Sequence, residues 1–198
     1  MPLAVLPHGP AFDVHLDTLL DVSVRLVNGL TGSWSRGQPH LPPGDGARAD
    51  LVALALAGED RRRPDVTPKE AILLSHTADL MRRVFDLVTQ GKLDDAASVI
   101  NDLIVSTGAH PYLVPRSDGG WGLHFHGKND SLAVGWAAGC ASGLAMAVGS
   151  KLCGRLGVCE AVRCDQVFVD YSRNRARRFC SLSCQNRMKA SAFRSRKP

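Results

Sequence analysis

Apolar residues recur at every third or fourth position in four stretches of the first half of the chain, which is the spacing of an amphipathic α-helix. The pattern predicts helices from Asp17 to Leu30, from Asp50 to Ala57, from Pro68 to Gly91, and from Leu93 to Ser106. The third helix has the clearest start, because Thr67 suits the N-cap, Pro68 the first helical position and Glu70 the capping box. Residues 31–48, rich in Gly and Pro, predict a loop.

A different pattern follows these helices. Strand-like residues on either side of Ser117–Gly120 predict one β-hairpin at 111–126. His124 and His126 then lie on the same strand face. Two histidines at this spacing could share a metal, but a polar, half-exposed strand face is the commoner explanation.

Residues 131–150 form a run of twenty uncharged residues, so a membrane-spanning helix must be considered. The run consists mostly of Ala and Gly, which contribute little to insertion, and Asp130 and Lys151 bound it closely. Glycines at every fourth position allow the backbone of a neighbouring helix to approach. We therefore expect the central helix of a helical body and no membrane partner.

Four cysteines near the C-terminus form two pairs, Cys159 with Cys164 and Cys180 with Cys184. Two short-spaced pairs around an intervening segment supply the four corners of a tetrahedral Zn²⁺ site. Disulfides or buried thiols are the alternatives, but disulfides need an oxidising compartment, and the N-terminus has no signal-peptide pattern. We expect one structural zinc in a cytoplasmic protein. Cys140 and Cys153 lie outside the pattern and are expected to be buried thiols.

The residues around the cysteines predict a small fold. Val167–Val169 is a strand candidate, Arg178–Phe179 a short return strand, and Ser181 an N-cap for a helix through Phe193. This order is that of a treble-clef-like zinc finger. The predicted fold class is therefore mainly α (α+β), with a helical body at 1–152 and the finger at 153–198.

Charge divides in the same way as the predicted fold. Residues 151–198 carry twelve Lys or Arg and three acidic residues, a formal charge of +9, whereas the whole chain is +5 and the remainder therefore −4. A basic module on an acidic body is typical of nucleic-acid binding. The alternative is a solvated basic tail.

The segment resembles the CGNR-type zinc finger. Phe168, Asp170 and Ser172–Asn174 match its F-x-D-x-S-R-N core. Its C-G-N-R motif corresponds to Cys184-Gln185-Asn186-Arg187, with Gln in place of Gly. More faintly, the N-terminal part resembles the ABATE domain that precedes this finger, with Asn28 at its L-x-N-T entry. The resemblance implies a bacterial stress-linked transcription regulator and a ligand site at Asn28, although Asn28-Gly29 also marks a helix end.

These observations favour a DNA-binding regulator whose body senses an unknown small molecule or forms a homodimer. The residues expected to contact double-stranded DNA are Arg173, Arg175, Arg177, Arg178, Gln185, Asn186, Arg187, Lys189, Arg194, Arg196 and Lys197. Arg175 and Arg177 are expected to have the fewest structural duties, whereas Asn186 and Arg187 could either read bases or support the knuckle. The alternative function is a structural or protein-binding finger. No catalytic constellation is visible, so we expect no enzyme.

Overall fold

The computed structural model describes residues 10–57, 63–115, 119–129 and 131–195, with side chains from Leu16 onward. Its helices are α1 Pro10–Leu30, α2 Asp45–Leu56, α3 Pro68–Thr89, α4 Leu93–Thr107, α5 Leu132–Val148 and α6 Leu182–Arg194. Its strands are β1 Trp34–Ser35, β2 Gln38–Pro39, β3 His110–Pro115, β4 Trp121–His126, β5 Leu156–Val158 and β6 Val167–Val169. The strands form three antiparallel pairs, β1–β2, β3–β4 and β5–β6. Helices account for 57% of the described residues, which confirms the mainly α class.

The start of α3 contains the capping interactions that the sequence predicts. The Thr67 side chain accepts a hydrogen bond from the Glu70 N–H at 3.3 Å, and the Glu70 carboxylate accepts from the Thr67 N–H at 3.0 Å. Hydrogen bonds from Thr67, together with weaker ones from the first N–H groups of α5, hold the pKa of Glu70 below its ordinary value. The capping box that the sequence predicts for the start of α3 is therefore present.

Helix α5 lies in the core, as predicted for the uncharged run. Ala137, Ala141 and Leu144 are fully buried. A Cβ atom added at Gly139 or Gly143 would lie 2.9 Å from the Leu19 side chain of α1, so the glycines permit this close packing. Among the described residues, no helix has both the length and the apolar character needed to cross a membrane.

The expectation of a loop throughout residues 31–48 is wrong. Helix α2 begins at Asp45 rather than Asp50, and β1 and β2 form a short hairpin across Arg36 and Gly37. Both turn residues have positive φ, 54° and 93°, which suits the tight turns that connect antiparallel strands. The many Gly and Pro residues hid this hairpin because they signal turns without showing which residues pair.

The expected return strand at Arg178–Phe179 is also wrong. Strand β6 pairs with β5, which precedes the first cysteine. The Arg178 carbonyl only accepts one hydrogen bond from the Glu160 N–H, at 3.0 Å. The apolar residues of β5 and β6 can be buried together, whereas the residues around Arg178 are exposed, and burial decides the pairing.

Strands β5 and β6 belong to the main hydrophobic core. Leu156, Val167 and Val169 are buried among the residues of α1, α3 and α5. A second, smaller cluster contains Cys159, Ala161, Cys164 and Cys184, with Phe179, Cys180 and Met188 packed against it. The domain boundary at 152/153 stays a prediction. The apolar side chains of β5 and β6 nevertheless pack into the core of the helical body.

Asn28, at the end of α1, connects the body to the finger. Its side-chain oxygen accepts a hydrogen bond from the Val167 N–H at 2.7 Å, and its NH₂ group donates to the Val167 carbonyl at 2.9 Å. The amide thereby pairs with β6 as a neighbouring strand would. The observed role of Asn28 is structural, and the expected ligand site there stays a prediction.

We predict that Asn28→Ala destabilises the folded chain. Two main-chain groups of the buried Val167 lose their partners, which costs roughly 2–5 kcal/mol in the free energy of unfolding. Urea unfolding measures the change, with Asn101→Ala at an exposed position of α4 as the matched control. An Asn28→Ala midpoint equal to that of the control would contradict this account of the connection.

We also predict that a fragment of residues 1–152 fails to unfold cooperatively. It lacks Leu156, Val167 and Val169, whose burial contributes on the order of 1.5–3 kcal/mol each, a large part of a typical domain stability. Calorimetry of the fragment and of the whole chain tests this. A sharp transition in the fragment would instead support two independent domains.

Candidate metal centre and nucleic-acid interface

The four cysteines of the two predicted pairs meet at one point. The Sγ atoms of Cys159, Cys164, Cys180 and Cys184 all lie within 4.8 Å of one another. Cys180 Sγ lies 3.7 Å from both Cys164 Sγ and Cys184 Sγ. A tetrahedral site with Zn–S bonds of 2.3 Å has sulfur–sulfur distances of about 3.8 Å. The cluster therefore fits one zinc ion.

Two local structures position these thiols. Cys159 directly follows β5, and its N–H donates to the Gln166 carbonyl at 2.9 Å, so the first pair lies in the turn between β5 and β6. Ser181 caps α6 by accepting from the Cys184 N–H at 3.3 Å, as the sequence predicts. Cys184 therefore lies in the first turn of α6, next to Cys180.

Main-chain N–H groups point at the sulfur atoms. The Cys180 N–H donates to Cys159 Sγ at 3.3 Å, and the Arg36 N–H of the β1–β2 turn donates to Cys164 Sγ at 3.4 Å. Burial, together with the neighbouring thiols of the cluster, raises the pKa of the Cys159 and Cys180 thiols. A Zn²⁺ ion would reverse that effect by stabilising the thiolates. Because four protein ligands complete a tetrahedron, the zinc has a structural role.

The other candidate metal ligands do not join such a group. His124 and His126 lie on one face of β4, as the strand alternation predicts, opposite Tyr112 and His110. Within the described residues, the four cysteines are the only set of three or more potential ligands close enough to share a metal. Cys140 is buried, with its pKa raised to about 11 by burial, and Cys153 is half-buried.

Arg177 has structural contacts that the sequence does not reveal. Its guanidinium lies 4.9 Å from the Phe168 ring, and it donates to the carbonyls of Phe179 at 3.0 Å, Val169 at 3.3 Å and Cys180. The expectation that Arg177 has few structural duties is therefore wrong. A planar group with several donors suits this bridging position, whereas Lys could not make the same set of contacts.

Arg187 braces the cysteine cluster from the first half of α6. Its Nη2 donates to the Val162 carbonyl at 2.7 Å, in the turn between Cys159 and Cys164. A Cβ added at Gly37 would lie 1.8 Å from Arg187 Nη1, so the β1–β2 turn approaches this side chain closely. Of the two possibilities that the sequence leaves open for Arg187, the structure favours support of the knuckle.

The remaining basic residues differ from these. Arg178 pairs with Glu160, Nε to Oε2 at 2.7 Å. Among the described residues of the finger, the exposed basic side chains without an ion pair, hydrogen bond or ring contact are Arg173, Arg175, Lys189 and Arg194, whereas the exposed Arg163 stacks on Trp34. Asn186 is exposed and Gln185 is half-buried, whereas Arg196 and Lys197 lie outside the described residues.

A cleft of about 600 Å³ separates the loop after β6 from the start of α6. Its lining residues are Ser172, Arg173, Asn174, Ala176, Arg177, Arg178, Phe179, Ser181, Leu182 and Gln185. The cleft combines exposed guanidinium groups with a helix start, a combination that attracts anions such as phosphate. This surface can therefore bind phosphate groups.

Asp170 shapes the loop beside this cleft. Its buried carboxylate accepts hydrogen bonds from the N–H groups of Ser172 at 2.8 Å and Arg177 at 2.9 Å. Burial would raise the pKa of Asp170, but a hydrogen bond with the Ser172 side chain and those from the two N–H groups outweigh burial and hold the pKa below its ordinary value. Asp170 matches the D of the F-x-D-x-S-R-N core, so the resemblance is the signal that could have identified it.

A second contact that the sequence does not reveal joins the β1–β2 hairpin to the cysteine turn. Asp165 Oδ2 accepts from the Ser33 N–H at 2.8 Å, and the Arg163 guanidinium lies 5.0 Å from the Trp34 ring. The Gly37 N–H donates to the Arg163 carbonyl at 2.8 Å. No pattern connects these residues because more than 120 positions separate the two segments.

We predict that Arg187→Ala weakens zinc retention, because the contact between α6 and the Val162 carbonyl is lost. Supporting groups around metal ligands typically contribute about 10- to 100-fold to affinity. Competition with a chromogenic chelator measures the effect, and Lys189→Ala, two residues along the same helix, is the control. Equal retention in both variants would show that Arg187 does not brace the site.

Residues 155–197 match the family model described as CGNR zinc finger. No curated protein matches the chain. The matched region contains β5, β6, α6 and the four cysteines, which is the part of the chain that fits one zinc ion. The C-terminal part of this chain is therefore similar to the CGNR zinc finger and fits one zinc ion.

Proposed function

We propose that the protein is a DNA-binding transcription regulator whose zinc finger contacts the phosphates of duplex DNA. The observation that carries this proposal is the division among the basic residues of the finger. Arg177, Arg178 and Arg187 are engaged within the fold. Arg173, Arg175, Lys189 and Arg194 are exposed without such contacts in the described structure. Cations that do not support the fold are available for a polyanion.

Net charge supports the same partner. The formal charge of residues 151–198 is +9, and four thiolates with one Zn²⁺ would reduce it to about +7. The rest of the chain is −4, so the positive potential is concentrated on the finger. This asymmetry would orient the molecule with its finger towards DNA.

The body would supply the regulatory input, by sensing a small molecule or by forming a homodimer, as its faint resemblance to the ABATE domain implies. A cleft of about 350 Å³ between β4, α1 and α5, lined in part by His124, Trp136 and Leu19, offers space for a small ligand. We expect the protein to be cytoplasmic, because cysteine thiols stay reduced there and can bind zinc. We expect no enzymatic activity.

A protein-binding finger is the second candidate function. Leu182 and Phe193 on α6 are 77% and 65% exposed, and apolar residues at such exposure can dock on a partner. The two functions differ in their response to salt. Phosphate contacts release counterions and weaken steeply with ionic strength, whereas an apolar interface does not.

We predict salt-dependent binding of the zinc-loaded chain to duplexes of random sequence. The slope of log affinity against log salt should become shallower by about 0.9 for each phosphate contact removed, as in Arg173→Ala and Arg175→Ala. Fluorescence anisotropy across a salt series measures the slope. Arg83→Ala, an exposed cation on α3, should leave it unchanged.

The wild-type titration decides between the two functions. If zinc-loaded protein binds no duplex even at low salt, the DNA-binding proposal fails and the protein-binding function replaces it. If Arg83→Ala weakens binding as much as Arg173→Ala, the contact surface is on the body.

A further inference from the structure

We infer that α6 enters the major groove and that Asn186, rather than Gln185 or Arg187, recognises an adenine base. This inference rests on the proposed binding to duplex DNA and names the part of the finger that would make it sequence-specific.

Helix α6 projects from the finger. It has 13 residues, and of these described residues only Cys184 is buried. Its length is about 20 Å at 1.5 Å per residue. Met188 packs against the cysteine cluster from the next turn. An α-helix about 10–12 Å across fits the major groove of B-DNA, which is about 12 Å wide.

The outward face of α6 follows from the position of Cys184. At about 100° per residue, the positions opposite Cys184 form a single stripe along the helix. The stripe contains Leu182, Asn186, Lys189 and Phe193, all of which are exposed. Asn186 carries the amide of this stripe. Among the four bases, only adenine lets a side-chain amide bind in bidentate form, with the amide oxygen accepting from the N6 amino group and the amide NH₂ donating to N7.

Gln185 and Arg187 point elsewhere. Arg187 Nη2 is used on the Val162 carbonyl, and the side chain lies against the Gly37 turn. Gln185 lines the cleft together with Phe179 and Ser181. Neither belongs to the outward stripe, so a groove that receives the stripe meets Asn186 first.

The distribution of charge favours DNA over a protein partner for this face. Arg173 lies beside the start of α6, because it lines the same cleft as Leu182. Arg194 lies at the other end, about 18 Å along the helix axis. The rows of phosphates that border a groove would meet these end positions. An apolar protein groove would need an apolar centre, but the centre of the stripe is Asn186 and Lys189.

Leu182 and Phe193 are the apolar residues of the stripe, and both could contact bases in the major groove. Apolar side chains in the major groove contact the C5-methyl group of thymine. Leu182 is 77% exposed and Phe193 is 65% exposed, so both present apolar surface to solvent. The stripe then combines an adenine-reading amide with apolar flanks, and a preferred site should be rich in A·T pairs.

The test uses the full zinc-loaded chain and selection from a random duplex library. Asn186→Ala should lose affinity for the selected duplex by roughly 5- to 150-fold, the range for one bidentate base contact. Its affinity for random duplex should change by less than about twofold, since phosphate contacts remain. Ala190→Ser, next to the stripe, is the matched control, and zinc content is measured for every variant.

A modified base makes the test specific to the amide contact. Replacing the recognised adenine by 7-deazaadenine, which lacks N7, should weaken the wild type and leave Asn186→Ala unaffected. Arg187→Lys that retains zinc should keep the base preference of the wild type. If the wild type binds the 7-deazaadenine duplex as tightly as the adenine duplex, the inference is overturned. Loss of the base preference in zinc-loaded Arg187→Lys also overturns it.

The proposed function and this inference can fail separately. Duplex binding without any selected sequence overturns the role of Asn186 and leaves DNA binding intact. The absence of duplex binding at low salt overturns both. A selected site to which Asn186→Ala binds as tightly as wild type overturns the inference alone.

Discussion

The position of α6 depends on the four-cysteine cluster. Of the described residues of this helix only Cys184 is buried, so apolar packing alone could not hold it against the rest of the molecule. The Ser181 cap and the Arg187 contact with Val162 fix where the helix begins and which face it turns outward, and a zinc ion held by the four thiols would reinforce both. Metal ligation would thus determine the surface that the finger presents.

The cluster is in turn held by the body. The Arg36 N–H donates to Cys164 Sγ, Asp165 accepts from the N–H groups of Ser33 and Trp34, and Asn28 pairs with Val167. These contacts come from two elements of the body, the β1–β2 hairpin and the end of α1. A finger joined in this way has a defined orientation, so a change at the end of α1 would reach the cysteine turn directly.

Local patterns predicted much of this from the sequence. Helical periodicity, the Thr67 capping box and the cysteine spacing each depend on residues close together in the chain, and each is observed. The β1–β2 hairpin, the β5–β6 pairing and the role of Arg177 were missed, and the role of Arg187 was left open between two possibilities, because each depends on residues that meet only after folding. An arginine that stacks on Phe168 and one that faces solvent have the same appearance in a sequence. Burial and hydrogen bonding separate them.

The most direct measurement is a map of amide chemical-shift changes when a short duplex is added to the zinc-loaded, isotopically labelled protein at low salt. The account predicts changes in the loop of residues 172–176 and along the outward face of α6, with the amides of α3 and α4 unaffected. Changes concentrated on the β3–β4 hairpin or on α3, or no changes at all, would contradict the claim that the finger presents this surface to DNA.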